Sequence, residues 1–442
     1  MLRIYRALVR SKLDYGSIVY DSARESYIKT LNAVHNGGVR LSTGAFRSSP
    51  VISIAAECGE PPLNIRRKRN IVSYASKLRS QPDHPTYNCV FNPRFSSLYL
   101  RRRNATRPLG IRLTNLLNEL QIVLPRTLRV GRNSVPPWLI PRPSIDISLS
   151  IHPRSTTTPE LYRQLFLAML DQNRDFHPIY TDGSKSNDRV GCAFVIDNDN
   201  FGFKLSQECS IFTAELFAIL QALRHVHGPN KYVVCSDSLS ALQAMQCPYS
   251  SHPLICLIHD KLYSLQRGGT TIRFYWVPGH VGIAGNELAD TAAKDAVNNG
   301  QDVFCVIGDD LKNGLVTAVQ QLWKDEWSAV NENKLRALKP TVDPWLTSCR
   351  PSRWEEVVLA RLRIGHCRLT HGFLMAREEP PFCETCDTRV TVSHFLIECV
   401  QFRDTRQQIG LSGDLSVVLG NDPDNVGLLF TFLKETGLDR FV

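Results

Sequence analysis

The sequence predicts an α/β fold for its central part, a mixed five-stranded sheet with helices packed on it. Three strand-like segments follow one another near 178–182, 190–196 and 201–206, which is typical of sequential hairpins. Helical and strand-like patterns then alternate, in the order helix 212–226, strand 231–236, helices 238–246 and 252–266, strand 271–277 and helix 285–297. Hairpins followed by this alternation favour a sheet with both antiparallel and parallel pairs.

The flanking regions divide the rest of the chain. Its 442 residues suffice for about two to four domains. The segment before the first strand carries a helical pattern at 160–171, and the many prolines between 131 and 160 indicate a linker. We therefore expect a basic helical region at 1–110, a linker at 111–158, the sheet domain at 159–300, a small helical region at 301–405 and a tail at 406–442.

Charge is unevenly distributed along the chain. The net charge is +10, yet residues 1–110 hold 19 Lys and Arg against 6 Asp and Glu. The segment 64–80, "NIRRKRNIVSYASKLRS", has the pattern of an amphipathic basic helix. A basic N-terminal region predicts a polyanionic partner, most simply single-stranded or duplex nucleic acid. The alternative is a solvated basic surface without a partner.

Cysteine use and hydropathy exclude two protein classes. The 13 cysteines are odd in number and mostly isolated, which argues against a disulfide framework and favours a reducing compartment, nuclear or cytoplasmic. No apolar run approaches the roughly 18 residues that a membrane helix needs, so we expect no membrane association. The basic start of the chain is compatible with a transit peptide by composition alone. Oligomeric state leaves no signal in the sequence.

Four acidic residues occupy unusual positions. Asp182 lies inside the first strand pattern, and Asp237 ends the 231–236 strand. If these strands are neighbours, the two carboxylates lie side by side and repel each other unless cations separate them. Mg²⁺ is the usual cation for carboxylate ligands, and two metal ions together can hydrolyse a phosphodiester. Two of these acids also have a structural alternative, because Asp237 has the position of a helix cap and Glu215 that of an acid that stabilises a helix dipole. The fourth acid is Asp290, in the last helical pattern of the domain.

Four motifs carry a family resemblance. "YTDGS" (180–184), "TAEL" (213–216), "CSDS" (235–238) and "WVPGHVGIAGNELAD" (276–290) resemble, in order and spacing, the signatures of type-1 ribonuclease H. The resemblance covers about 178–297. It implies that Asp182, Glu215, Asp237 and Asp290 bind two Mg²⁺ ions and that His280 is a mobile residue that aids proton transfer or product release. It also implies that Ser184 and Asn286 lie near the substrate.

The same resemblance implies an activity, hydrolysis of the RNA strand of an RNA–DNA hybrid. The interval between Asp237 and Asp290 holds two helical patterns and one strand pattern, which leaves no room for the additional basic handle helix of some cellular relatives. We therefore expect the grip on the hybrid to depend on other domains.

The flanks resemble a second type of sequence. Segments 7–23, 31–51 and 57–70 are similar to the region after the polymerase palm in non-LTR, Jockey-like retrotransposon reverse transcriptases. This implies that the chain is the C-terminal part of a longer polyprotein, with a reverse-transcriptase remnant at 1–110. We predict no polymerase activity, and we interpret "GDD" at 308–310 as the start of a helix.

A cysteine and histidine cluster lies near the C-terminus. Cys383, Cys386, His394 and Cys399 have the spacing C-x2-C-x7-H-x4-C, which suits a structural Zn²⁺ site. The preceding segment 361–381 resembles the region before the terminal CCHC motif of the same elements, although the seven-residue gap differs from that of retroviral nucleocapsid knuckles. The alternative is four unliganded residues in a helical region, whose expected core aromatics are Trp323, Trp327 and Trp354.

Three functions are compatible with these observations. The first is a retroelement-derived endonuclease for RNA–DNA hybrids. The second is an inactive nucleic-acid-binding remnant that keeps the fold, against which the presence of all four carboxylates and His280 argues. The third is a transposase-like or integrase-like nuclease, against which the "TAEL" and "GNELAD" motifs argue.

Overall fold

The computed structural model describes residues 1–102, 105–130, 134–187 and 189–442. Positions 103 and 104 in the predicted basic region, 131–133 in the predicted linker and 188 in the predicted hairpin turn lie outside the described residues. The chain forms two compact units. The helical unit comprises Met1–Val72, Phe95–Leu120 and Val316–Val442, and the sheet unit comprises Ser73–Arg94 and Gln121–Leu315. Within the described ranges, no helix is both long and apolar enough for a membrane span.

The sheet unit is built on a mixed seven-stranded sheet. Its strands are β1 (Ser144–Asp146), β2 (His177–Ser186), β3 (Arg189–Ile196), β4 (Asp199–Leu205), β5 (Lys231–Ser236), β6 (Thr271–Trp276) and β7 (Gln301–Asp302). Their spatial order is β1-β6-β5-β2-β3-β4-β7. The β2–β3 and β3–β4 pairs are antiparallel, whereas β1–β6, β6–β5, β5–β2 and β4–β7 are parallel.

Five helices accompany this sheet: α1 (Pro159–Asp171), α2 (Ile211–His225), α3 (Leu239–Ala244), α4 (Pro253–Arg267) and α5 (Ala284–Asn299). The predicted mixed α/β fold with flanking helices is thus confirmed. The predicted number of five strands is wrong, because β1 and β7 extend the sheet at its two edges. Strands of two or three residues are too short for a visible alternation of polar and apolar side chains.

Apolar side chains fill both faces of the sheet. Val234 of β5 belongs to a core cluster with α2 and α4, in which the predicted helix face of Leu216, Ile219, Leu220 and Leu223 is buried. The neighbouring Val233 points the opposite way, into a second cluster with Tyr162 of α1. This alternation follows from the pleat of a strand. The sheet is therefore covered on both sides, which holds the carboxyl ends of its strands in fixed positions.

The helical unit consists of many short helices. Helical segments of the remaining chain span Leu2–Tyr5, Arg6–Arg10, Ser11–Asp14, Ser17–Tyr20, Glu25–Thr43, Val51–Cys58, Leu63–Arg79, Tyr87–Phe91, Ser96–Arg101, Leu109–Glu119, Pro137–Leu139, Ser148–Ile151, Gly308–Ser328, Lys334–Leu338, Leu346–Ser348, Arg353–Ile364, Arg368–His371, Phe373–Ala376, His394–Glu398, Val400–Phe402, Arg403–Ile409, Leu415–Val418, Pro423–Glu435 and Leu438–Arg440. A two-stranded hairpin pairs Phe382–Cys383 with Thr388–Arg389. Two of the four unit boundaries fall within the Leu63–Arg79 and Gly308–Ser328 helices, and "GDD" begins the latter, as predicted.

A buried ion-pair cluster lies in the core of the helical unit. It consists of Glu57, Lys339 and Arg363 around Trp345. One Glu57 oxygen lies 3.5 Å from Arg363, and the other accepts a 2.7 Å hydrogen bond from the Trp345 indole. The Arg363 guanidinium stacks 3.9 Å above the Trp345 ring, and Lys339 donates to the carbonyl of Ala56 at 2.7 Å. The remaining donors of Arg363 are satisfied by Leu419 O, Gly420 O and Thr347 Oγ1.

The predicted core tryptophans divide into two groups. Trp327 is 1% exposed and Trp323 is also buried, in agreement with the prediction. Trp354 is 40% exposed and only packs beside Phe430, so its assignment to the core was wrong. It occupies the second position of the Arg353–Ile364 helix, where side chains next to the cap face solvent.

Candidate active site

Two aspartates lie side by side where the parallel pairing of β2 with β5 ends. The last register pair of these parallel strands is Thr181 with Ser236, and the next residue on each strand is Asp182 and Asp237. Because successive side chains alternate between faces, the two carboxylates point to the same side of the sheet. The predicted neighbourhood of these acids is therefore present in the structure.

A third acid reaches the same point from α2. Ser210 caps this helix by accepting a hydrogen bond from the Thr213 amide at 3.2 Å, and Glu215 lies one turn further on. The helix approaches β2 at Gly183, where an added Cβ would lie 3.0 Å from both the Ala214 Cβ and the Glu215 amide nitrogen. A glycine is thus required next to Asp182 because the helix backbone comes so close.

The three carboxylates form a compact and largely buried group. Asp182, Glu215 and Asp237 each contribute one oxygen, and these oxygens lie within 4.8 Å of one another. Burial, followed by the negative charge of Asp237, raises the pKa of Asp182 to about 7. Burial and the charge of Asp182 raise the pKa of Glu215 well above its usual range. Burial also raises the pKa of Asp237, against the opposing positive charges of His280 and Arg154.

The fourth acid, Asp290, lies on α5 next to the trio. Its negative charge acts on both Asp182 and Asp237. One Asp290 oxygen accepts a 2.7 Å hydrogen bond from Lys294 and lies 3.9 Å from Nδ1 of His280. His280 is 70% exposed and has a φ of 56°, a backbone conformation that is uncommon for a residue with a side chain. We refer to Asp182, Glu215, Asp237 and Asp290 as the carboxylate cluster.

The residues present fit a metal site. Oε2 of Glu215 is buried and has no hydrogen-bond partner among the described residues. No Lys or Arg in the described ranges of the chain lies within 4.0 Å of the carboxylates of Asp182, Glu215 or Asp237. Buried like charges with an unpartnered oxygen require a counter-charge from outside the protein. Oxygen ligands of this kind are those that Mg²⁺ binds.

The two predicted substrate contacts differ in accessibility. Ser184 lies on β2 beside a cavity of about 770 Å³ that is also lined by Lys185, Arg189 and Lys294. Asn286 on α5 is buried, and its Oδ1 has no hydrogen-bond partner among the described residues. Ser184 is thus open to a ligand, whereas Asn286 faces the protein interior.

Comparison with known proteins agrees with this geometry. Residues 175–298 match the RNase H family. These residues form a ribonuclease H domain. The chain is 34% identical over 122 residues to the Pol polyprotein of equine infectious anemia virus (isolate 1369). This alignment covers 26% of this chain and 10% of that polyprotein. It is 31% identical over 111 residues to the Pol polyprotein of ovine maedi visna related virus (strain South Africa), which covers 25% of this chain and 10% of that polyprotein.

The chain thus spans about a tenth of the length of these curated relatives. The aligned stretches are about as long as the segment that matches the RNase H family.

Two polar residues near the carboxylate cluster were missed by sequence reasoning. Glu287 belongs to the "GNELAD" motif and lies close to His280 and Asp290. One ligand atom of each of these three residues lies within 4.8 Å of the other two. Its helical spacing to Asp290 was the available signal. Arg154 lies upstream of the ribonuclease H domain in the predicted linker, yet it donates a 3.0 Å hydrogen bond to the carbonyl of Gly279. Nothing in its local sequence indicated this contact.

The C-terminal cysteines and histidine come together in the helical unit. Cys383, Cys386, His394 and Cys399 each offer one ligand atom within 4.8 Å of the others. The Cys399 sulfur lies 3.7 Å from that of Cys383 and 3.9 Å from that of Cys386. Zn–S bonds of about 2.3 Å in a tetrahedral site separate two sulfurs by roughly 3.8 Å. Nε2 of His394 is buried and has no hydrogen-bond partner among the described residues, so this group fits a metal site.

The basic N-terminal region divides into buried and exposed charges. Arg66 and Arg67, from the predicted amphipathic basic helix, are buried and pair with Asp14 and Asp21. These two arginines therefore stabilise the fold and are not available to a partner. All six acids of residues 1–110 are similarly engaged, in the pairs Asp14–Arg66, Asp21–Arg67, Glu25–Lys29, Glu57–Arg363, Glu60–Arg10 and Asp83–Arg129. The excess positive charge remains on exposed side chains such as Arg69 and Lys77.

Proposed function

We propose that this protein is an endonuclease that hydrolyses the RNA strand of RNA–DNA hybrids with two metal ions. The observation that supports this most is the convergence of Asp182, Glu215 and Asp237, which have no Lys or Arg within 4.0 Å among the described residues. Together with Asp290, these residues would hold Mg²⁺ ions, which when bound activate a water molecule and stabilise the departing 3′ oxygen. Recognition of the RNA strand would use its 2′-hydroxyl groups, which DNA lacks.

The protein groups have distinct parts in this reaction. β2 and β5 fix two carboxylates in register, and α2 adds Glu215 through its contact at Gly183. His280 is exposed, and its imidazole lies next to Asp290. We assign to His280 the transfer of a proton to or from the reacting groups, because its imidazole is exposed, lies next to Asp290 and has nitrogens that donate and accept protons. Ser184 is a candidate contact to the substrate strand, beside the basic cavity.

The decisive experiment is cleavage of a labelled RNA–DNA hybrid with and without Mg²⁺. We expect Asp182→Asn to reduce Mg²⁺-dependent cleavage to background, at least a thousandfold, because it removes a charged ligand without changing side-chain volume. Asp295→Asn is the matched control, since Asp295 is an exposed acid on α5 that accepts a hydrogen bond from Asn299. Cleavage by Asp182→Asn at the wild-type rate would refute the mechanism.

An inactive nucleic-acid-binding remnant is the second candidate. The burial of Asn286, one of the two predicted substrate contacts, is the observation that favours it. Wild-type protein that binds the hybrid but does not cleave it at any Mg²⁺ concentration would establish this alternative.

We further propose that Cys383, Cys386, His394 and Cys399 hold a structural Zn²⁺ ion. The sulfur spacing and the unpartnered His394 nitrogen support this assignment. Metal binding would contribute directly to the stability of the helical unit, since it would join the Phe382–Cys383 hairpin strand to the His394–Glu398 helix. We expect one zinc per purified chain and its loss in Cys383→Ser but not in Cys349→Ser, a substitution of an exposed cysteine. Metal-free, fully folded wild-type protein would contradict the site.

We infer that the chain derives from a non-LTR, Jockey-like retroelement. The order of a reverse-transcriptase-like segment, a ribonuclease H domain and a CCHC motif supports this origin. The exposed cations of residues 1–110 would then bind single-stranded or duplex nucleic acid. Binding of labelled duplex that weakens steeply with salt, and that Arg69→Ala with Lys77→Ala reduces, tests this assignment.

A further inference from the structure

The segment before the ribonuclease H domain is an integral part of the sheet unit. β1 pairs with β6 in parallel, from Ser144 with Arg273 to Asp146 with Tyr275. Leu149 is buried in the same core cluster as Tyr162 of α1. The family match begins only at residue 175, so these contacts belong to this chain's own extension of the domain.

This extension fixes the main chain on both sides of Arg154. The carbonyl of His152 accepts a hydrogen bond from the Tyr162 hydroxyl, and Tyr162 is almost completely buried. On the other side, Thr158 caps α1 by accepting a hydrogen bond from the Leu161 amide. Arg154 is therefore presented from a short loop with anchored ends, and its location does not depend on its side chain alone.

The Arg154 guanidinium lies at the rim of the carboxylate cluster. Its Nη2 donates a 3.0 Å hydrogen bond to the carbonyl of Gly279. Gly279 in turn touches the cluster, because a Cβ added there would lie 2.4 Å from Oδ2 of Asp237 and 3.7 Å from Arg154 Nη2. The next residue after Gly279 is His280. Arg154 thus lies where Asp237 approaches the loop that carries Gly279 and His280.

Most hydrogen-bond donors of Arg154 remain available. A guanidinium carries five N–H groups, and one of them is used on Gly279. Among the described residues, no carboxylate lies within 4.0 Å of Arg154, and its side chain is exposed. The neighbouring Arg163, by contrast, pairs with Glu160. A cation without an acidic partner, beside a buried acidic group, is placed to attract an anionic ligand.

The ligand chemistry follows from the geometry and rests on the proposed hydrolysis of hybrids. A phosphodiester that approaches four carboxylates meets electrostatic repulsion, which a cation at the rim offsets. A planar guanidinium also matches a phosphate group in a bidentate arrangement. Between Asp237 and α5, the helix that carries Asp290, the chain has α3, α4 and β6, as predicted, so no additional basic helix is present in this interval. We propose that Arg154 binds a backbone phosphate of the nucleic acid next to the hydrolysed bond, as a substrate-binding residue supplied by the N-terminal extension.

Hybrid binding by the full-length chain tests this proposal. Affinity is measured in the Asp182→Asn background with Mg²⁺ present, over a series of salt concentrations, so that cleavage does not interfere. We expect Arg154→Ala to weaken binding about tenfold and to reduce the slope of log affinity against log salt by about one, the value for a single phosphate contact. Arg154→Lys keeps the charge, so we expect the wild-type slope with a smaller loss of affinity.

Arg174→Ala is the matched control, because Arg174 is an exposed arginine of the same unit that pairs with Asp171. An Arg154→Ala variant that behaves like this control would overturn the proposal. So would an unchanged salt slope combined with a lower kcat and a shifted pH profile in the active enzyme, since Arg154 would then only position the His280 loop. If wild-type protein cleaves no hybrid but Arg154→Ala still lowers binding and slope, the proposed hydrolysis fails and the phosphate contact stands.

Discussion

The two buried charge clusters of this protein differ in whether their charges compensate or repel each other. The ion-pair cluster of the helical unit places Glu57 among two cations and an indole donor, and the Arg363 donors find carbonyl or hydroxyl partners. The carboxylate cluster of the sheet unit brings like charges together and leaves Oε2 of Glu215 without a hydrogen-bond partner among the described residues. Both are desolvated, and burial raises the pKa of Glu57 as well as that of Asp182.

The difference separates a structural cluster from a functional one. Buried charges that compensate each other stabilise one arrangement of the chain, and removal of one partner is costly. Buried charges that repel each other destabilise the fold until an external ligand neutralises them. A substitution in each cluster should therefore change stability in opposite directions.

The largest effect is expected in the ion-pair cluster. Arg363→Met leaves Glu57 without its nearest cation and leaves the carbonyls of Leu419 and Gly420 without their donor. We expect a loss of about 3–5 kcal/mol in the free energy of unfolding of the helical unit, measured by urea denaturation. Lys29→Ala, which breaks an exposed pair with Glu25, should cause no measurable change. A loss equal to that of the control would mean that the cluster is not structural.

The second effect has the opposite sign. The pKa of Asp182 is raised to about 7 in the folded state, so its contribution to stability is full below about pH 4 and is lost as the pH rises through 7. In EDTA at pH 8, Asp182→Asn should therefore be more stable than wild type, by about 2 kcal/mol. At pH 4 the two proteins should unfold at the same urea concentration.

Metal addition should reverse this order. Mg²⁺ at a hundred times its dissociation constant should stabilise wild type by about 2.7 kcal/mol, and Asp182→Asn by much less. Equal stabilisation of both proteins would indicate that the ion binds elsewhere.

A smaller effect tests how closely α2 approaches the sheet. Gly183→Ala places a methyl group 3.0 Å from the Ala214 Cβ and the Glu215 amide, so we expect a loss of about 1 kcal/mol and weaker Mg²⁺ binding. In Gly314→Ala the added methyl group has no atom within 4 Å and lies in a helix, which should stabilise that helix by about 0.5–1 kcal/mol. Two substitutions of the same kind would thus differ in sign, and a loss at both positions would contradict this explanation.

The part of the site that the sequence predicted depends on local patterns. Asp182 lies within one recognisable strand and Asp237 directly follows another, and parallel pairing of those strands was sufficient to place the two acids together. Glu215 lies on a helix with a clear apolar face and an N-terminal serine cap. The Cys-x2-Cys spacing likewise identified a cluster that the fold brings together. In these cases, secondary structure alone fixes where the side chain points.

The part that was not predicted depends on long-range contacts. Arg154 meets Gly279 from 125 residues away, and β1 pairs with β6 across a similar distance. Arg66 and Arg67 belong to a basic run that looked solvent-exposed, but they are buried because Asp14 and Asp21 lie opposite them. No periodicity reports such partners, since each depends on how separate segments pack.

The short strand β1 has a practical consequence for recombinant fragments. A fragment that starts at residue 175, where the family match begins, would lack both β1 and α1. The outer backbone groups of β6 would then be unpaired, and the apolar surface that Leu149 and Tyr162 cover would face water. Open strands with apolar neighbours self-associate. A fragment that includes Pro143 and the three residues of β1 retains a short, proline-preceded strand that protects the sheet from this outcome.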